Sequence, residues 1–227
     1  MRVFHCDVHA IDLPAGHQFP AGKYKLIRER LMCDGFTLQL ASLAPVELVK
    51  LVHSESYVND FLSGSLSPAA VRRIGFPWSE GLVRRTRTSV GGTLAAVEDA
   101  FERGWGANLA GGTHHAFADG GAGYCVFNDL AIAIQWLRRD GRIRRAAVID
   151  LDVHQGESGV DALYSDRLGH LALTHAGLSE RDRRVMLAAR SHDIPFVITL
   201  GGGYSLPMEL TAEAHANVYR TASDVFN

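Results

Sequence analysis

Two apolar runs constrain this chain most: AAVIDLDV at 146–153 and FVITLGGG at 196–203. Each stays apolar along most of its length, as does a strand covered on both faces in a parallel sheet. Each then breaks into polar or glycine-rich residues. Shorter strand candidates precede them: RVFHC (2–6), TLQLA (37–41) and GANLAGG (106–112). Segments with helical spacing lie between. KYKLIRERLM repeats Tyr24, Ile27 and Leu31 at three- to four-residue intervals. VELVKLV follows Pro45, and Ser54 and Ser67 are candidate N-caps of two further helices. A long helix is expected from about Ser79 to Arg103, with Val90, Leu94, Val97 and Phe101 as its buried stripe. AIAIQWLRR (131–139) and SERDRRVMLAARSH (179–192, capped by Ser179) are helical. The last helix carries a stripe of Leu210, Ala214, Val218 and Ala222. Strands alternating with helices make an α/β layer fold with a mainly parallel sheet. No repeat or linker interrupts the 227 residues, so residues 1–227 are expected to form a single domain. One stretch fits poorly: the residues between the strand ending near Val153 and the helix near Ser179 have weak periodicity.

The charge balance excludes some partners. A net charge of −2, from 23 basic and 25 acidic residues, provides no field to gather nucleic acid or an anionic membrane. The arginines at 84, 85 and 87, and those at 138–145, read as solvated faces. Cys6, Cys33 and Cys125 form no CxxC, so a reducing, cytoplasmic setting is expected. No signal-peptide pattern opens the chain, and no apolar stretch reaches the ~18 residues of a membrane span.

In open α/β sheets ligands bind beyond the carboxyl ends of the strands. Three strand candidates end in GGTHHAF, DLDVHQGES and LGGGYS. Alternation along a strand puts Asp150, Asp152 and His154 on one side. Two carboxylates and an imidazole there are costly unless paired, and a divalent cation pairs them. Such donors suit zinc, with iron(II) or manganese as alternatives; the plainer reading is a set of turn and capping residues. His114 and His115 are acid–base candidates beside such a metal, and otherwise an incidental pair. Tyr204, on a Gly-rich turn, is placed to donate to an oxyanion or simply to pack over the turn. Together these parts describe a metal-assisted hydrolase.

GGTHHAFADGGAGYCVFND, AAVIDLDVHQG, GVD at 159–161 and LGGGYS resemble the zinc-dependent histone deacetylase family. HQFPAGKY and FPWSEGLVRRTRTSVGGT look like its bacterial, class IV-type members. The resemblance implies an arginase-like three-layer α/β/α sandwich. It implies Asp152, His154 and Asp161 as metal ligands, His115 as general base and His114 as its electrostatic partner. Tyr204 becomes the oxyanion donor, Asp150 the support of His114, and Gly123 and Tyr124 the wall of the acyl-lysine channel. It also implies a monovalent cation near the Asp150–His154 backbone. The implied reaction is hydrolysis of an acetylated lysine in a peptide, or of an acetylated small amine.

The chain departs from the family at one place. Several dozen residues, including two core strands and a helix, separate DLDVHQG from GVD in the family. Here HQGES runs directly into GVDALYSD, so central elements are missing and the domain is truncated near 157–159. Glu157 stands where the family has the Asp or Asn that orients the second histidine. Asp161 is seven residues from His154, and an extended chain spans ~3.3–3.6 Å per residue, so reach does not forbid the site. Lost strands expose sheet edges and apolar faces, which implies lower stability or a homo-oligomer that covers the gap. Two other readings compete: a vestigial, inactive deacetylase-like protein, and an arginase-like ureohydrolase, for which no second Asp-rich strand end is found.

Overall fold

The computed structural model describes residues 2–151 and 174–226. Strand β1 (Arg2–His5) pairs in parallel with β2 (Thr37–Leu40). Strand β3 (Trp105–Ala107) pairs in parallel with β4 (Phe196–Ile198). A parallel bridge from Phe4 to Asn108 joins the pairs, giving the order β2-β1-β3-β4. Pairing continues past β3 and β4: the Asn108 amide donates to Ile198 O (2.9 Å) and the Leu200 amide to Ala110 O (3.0 Å). The loops after both strands therefore emerge side by side.

Helices α1 (Gly22–Cys33), α2 (Val46–Val49), α3 (Glu55–Ser63), α4 (Pro68–Ile74) and α5 (Glu80–Arg103) fill the first half. Helices α6 (Asp129–Arg139), α7 (His175–Ser191) and α8 (Met208–Phe226) follow. Alternate strand residues face opposite layers. Val3, Trp105, Ala107 and Ile198 pack with Ile27 and Leu31 of α1, Met186 of α7, and Ala212, Ala216 and Tyr219 of α8. Phe4 turns the other way, onto Ala96 of α5. Beyond α5, Val90, Leu94 and Val97 join Tyr57, Phe61, Phe127, Ile132 and Leu137 in a second core. These are the layers of an α/β/α sandwich.

The expected caps Ser54 and Ser67 form, accepting from the amides of Tyr57 and Ala70, and Ser79, at the expected start of the long helix, caps it by accepting from the Leu82 amide. Four expectations need correction. Helix α7 begins at His175, with Thr174 rather than Ser179 as its cap. The buried stripe of α8 is Thr211, Ala212, Ala216, Tyr219, Ala222 and Val225. Phe101 is largely exposed, its ring covered by the Arg142 guanidinium 4.5 Å away. Arg85 and Arg87 are not simply solvated: Arg85 lies over the Tyr24 ring (4.6 Å) and Arg87 donates twice to Ala44 O.

The largest correction concerns 146–151. These residues form no strand, and Val148 and Ile149 are 54% and 59% exposed. A parallel strand holds only with neighbours along its edges and cover on both faces. Among the described residues no strand lies beside this segment. The poorly patterned junction after Val153, with the strand's last residues Asp152 and Val153, lies mostly outside the described residues.

Candidate active site

The site is built on the loop after β3. Its backbone turns at Gly111 and Gly112, with φ of +82° and +68°, a region that favours glycine. There is no room for more: a Cβ at Gly112 would stand 2.9 Å from Leu200 O, in the chain leaving β4. His114 and His115 follow, half-buried, with ring centroids 4.2 Å apart. Asp150 Oδ2 lies 3.7 Å from His114 Nδ1, within ion-pair range and beyond a direct hydrogen bond. His114 Nε2 is buried and has no hydrogen-bond partner among the described residues.

Gly123 closes against His115: a Cβ there would meet His115 Cδ2 at 3.2 Å. Gly123 and Tyr124 are tied to α4, their amides donating to Arg73 O (3.2 Å) and Ile74 O (2.7 Å). The Tyr124 ring packs against His17, Phe19 and Phe76, with centroids at 5.7, 5.2 and 5.1 Å. His17 is itself fixed, accepting from the Phe19 amide at Nδ1 and donating from Nε2 to Gly75 O. The HQF segment thus buttresses the Gly123–Tyr124 segment.

Tyr204 ends the glycine turn after β4. Lys23 holds that turn from α1. Its ammonium is buried and donates to Gly201 O (3.0 Å) and Gly202 O (2.6 Å). It lies 5.9 Å from the centre of the Tyr204 ring. His215 of α8 also meets Gly202 O, at 2.9 Å.

The far end of the histidine loop is stapled by His53. Its Nδ1–H donates to Phe117 O (2.8 Å), and its Nε2 accepts from the Asn128 amide (2.9 Å). Burial holds its pKa below the usual imidazole value, which keeps this neutral tautomer. A cavity of about 70 Å³ lies behind the loop, between Tyr24, Arg85, Thr113 and Tyr124. Burial pushes the Tyr24 phenol there up to about 12, against the pull of Arg85. A larger cavity of about 510 Å³, between α7 and α8, shares no residue with this site; surface side chains such as Glu180, Arg183 and Asp224 line it.

His114, His115, Asp150 and Gly123 are thus brought together, and Tyr204 lies on the neighbouring turn. Asp152, His154, Glu157 and Asp161 lie outside the described residues. Among the described residues no cluster of metal-ligating side chains is found, and no helix is long and apolar enough to cross a membrane. None of Cys6, Cys33 and Cys125 forms a disulfide. Sequence reasoning did not reach Lys23, His53 or His215. Their partners lie 178 or 179, 64 or 75, and 13 residues away, and no local spacing signals such bonds.

A sequence model of the histone deacetylase domain matches residues 17–158 and 157–221. The two matches meet where DLDVHQGES runs into GVD. An uncharacterised protein of Picosynechococcus is 32% identical over 299 residues, covering 99% of this chain and 98% of that protein. That alignment is longer than the chain's 227 residues, so dozens of the relative's residues have no counterpart here. Histone deacetylase 2 of Arabidopsis thaliana is 26% identical over 280 residues (87% of this chain, 72% of that one). A probable deacetylase of Methanothermobacter thermautotrophicus is 42% identical over 177 residues (74% and 51%). The crystal structure of the HDA15 HD domain superposes with a TM-score of 0.73 at 15% identity, over 100% of this chain and 90% of that one, which shows the shared fold. With GGTHHAF and LGGGYS on the loops after β3 and β4, the chain belongs to the histone deacetylase family.

Proposed function

We propose that residues 1–227 form one internally shortened deacetylase domain, truncated near 157–159, acting as a metal-dependent amidohydrolase. Its substrate class is an acetylated lysine in a peptide or an acetylated small amine. The observation that carries this reading is the contact pair His114–His115, with Asp150 3.7 Å from His114 Nδ1, beside the turn bearing Tyr204.

Asp152, His154 and Asp161 would hold the metal, zinc or alternatively iron(II). The buried, unpartnered Nε2 of His114 fits a site that receives a further polar group. When bound, the metal supplies positive charge that polarises the amide carbonyl and acidifies water. His115 takes the proton of the attacking water. His114, with Asp150 beside it, steadies the charge that His115 gains, and Glu157 is the candidate to orient His115. Tyr204 donates its phenolic hydrogen to the developing oxyanion. As the C–N bond breaks, the imidazolium returns its proton to the leaving amine, giving acetate and the free amine. Gly123 and Tyr124 form the channel wall. A monovalent cation near the Asp150–His154 backbone, a cytoplasmic setting and a homo-oligomer covering the exposed apolar segment complete the proposal.

The test is acetate release from an acetyl-lysine peptide by zinc-loaded protein, with zinc per chain measured in parallel. Tyr204→Phe is expected to lower turnover by ~10²–10³-fold with unchanged zinc. Asp161→Ala is expected to lower zinc content. Stoichiometric zinc without turnover overturns the reading.

A further inference from the structure

The turn in front of the twin histidines is folded around a carboxylate of its own chain. Left-handed backbone at Gly111 and Gly112 aims the successive amides of Gly112 and Thr113 at one point, a concavity that binds anions. Asp129 fills it. Its Oδ2 accepts from the Gly112 amide (3.1 Å) and the Thr93 hydroxyl (2.6 Å). Its Oδ1 accepts from the Thr113 amide (2.8 Å) and the Thr113 hydroxyl (2.6 Å), which shares its proton with Phe127 O. The Asp129 amide donates back to Thr113 Oγ1 at 3.3 Å. A Cβ at Gly111 would stand 2.3 Å from Oδ2, so the approach requires glycine.

Asp129 is fully buried, and among the described residues it has no ion-pair partner. The four donors and the N-terminus of α6, where it is the first residue, therefore balance its charge. Thr113 is held at both its amide and its hydroxyl by one carboxylate oxygen. That leaves the next residue, His114, little freedom in how it departs from the chain.

We infer that Asp129 is the positioning residue of the histidine loop: through Gly112 and Thr113 it sets where His114 and His115 stand, without touching substrate. This rests on the reading of those histidines as catalytic. Asp129→Asn keeps the volume but, whichever way it faces, turns its amide nitrogen toward a backbone N–H that can only donate, Gly112 on one side or Thr113 on the other.

The experiment compares imidazole ¹⁵N–¹H signals of His114 and His115 in wild type and D129N, together with kcat and KM of the zinc-loaded proteins. The expected result is a folded variant with displaced imidazole signals and kcat lowered by about 10²-fold, with KM within about twofold. Thr113→Val and Thr113→Ser provide a second route if D129N does not fold: the serine variant keeps the wild-type signals and the valine variant displaces them. Unchanged imidazole signals in folded D129N, or identical behaviour of the two Thr113 variants, overturns the inference. A wild type that binds zinc but releases no acetate would overturn the proposed function alone, because the imidazole comparison does not need turnover.

Discussion

Buried polar side chains set local geometry here, as Asp129 does with its four donors. Asp7 is a second case. Burial raises its pKa, but the hydrogen bonds from His5 (2.7 Å) and Arg28 (2.8 Å) more than reverse that and hold it at about 2. The unfolded chain's aspartate titrates near 3.9. A lowered folded value means stability that is complete above about pH 4 and is lost as pH falls through about 2. The contribution at neutral pH is about 2 kcal/mol. Asp7→Asn is therefore expected to lower the urea midpoint at pH 7, with the gap to wild type narrowing between about pH 4 and pH 2. A gap that is constant over that range would show that the carboxylate is not the source. The tandem His114–His115 is legible as a sequence word. The Asp7–Arg28 pair is not, since its partners are 21 residues apart, one in the turn after β1 and one on α1.

Helix starts were written locally, and three serines show why. A cap needs only a hydroxyl and an amide three residues on, so Ser54 and Ser67 are readable without any tertiary knowledge, and Ser79 caps α5 in the same way. Ser79→Ala is expected to cost about 1 kcal/mol in unfolding free energy by removing the acceptor of the Leu82 amide. A loss below about 0.3 kcal/mol would mean that water replaces it. Helix α8 shows the limit of local reading. Alanines lie on several of its faces, so its period does not choose the buried one. Packing against α1 and α7 does, with the Tyr219 hydroxyl reaching Asn108 O at 3.0 Å.

At the scale of the whole molecule the junction dominates. The AAVI run reads as a buried strand, yet Val148 and Ile149 stand exposed. The double variant Val148→Ser/Ile149→Ser is expected to leave the unfolding free energy within about 0.5 kcal/mol of wild type. Ile198→Ala, in the core beside Trp105 and Tyr219, is expected to cost about 2–4 kcal/mol. Comparable losses from both would place 146–149 back in a packed sheet. Residue type and spacing along the chain sufficed for the α/β alternation, most helix starts and the deacetylase motifs, because each depends on neighbours a few positions away. Which face of α8 is covered, whether an apolar run becomes a strand, and what fills the glycine turn before His114 were settled by the folded chain. Each of those depends on a partner supplied from far along the sequence, such as Thr93 or Asp129 for that turn, and an apolar strand whose partners are missing has nothing to pair with.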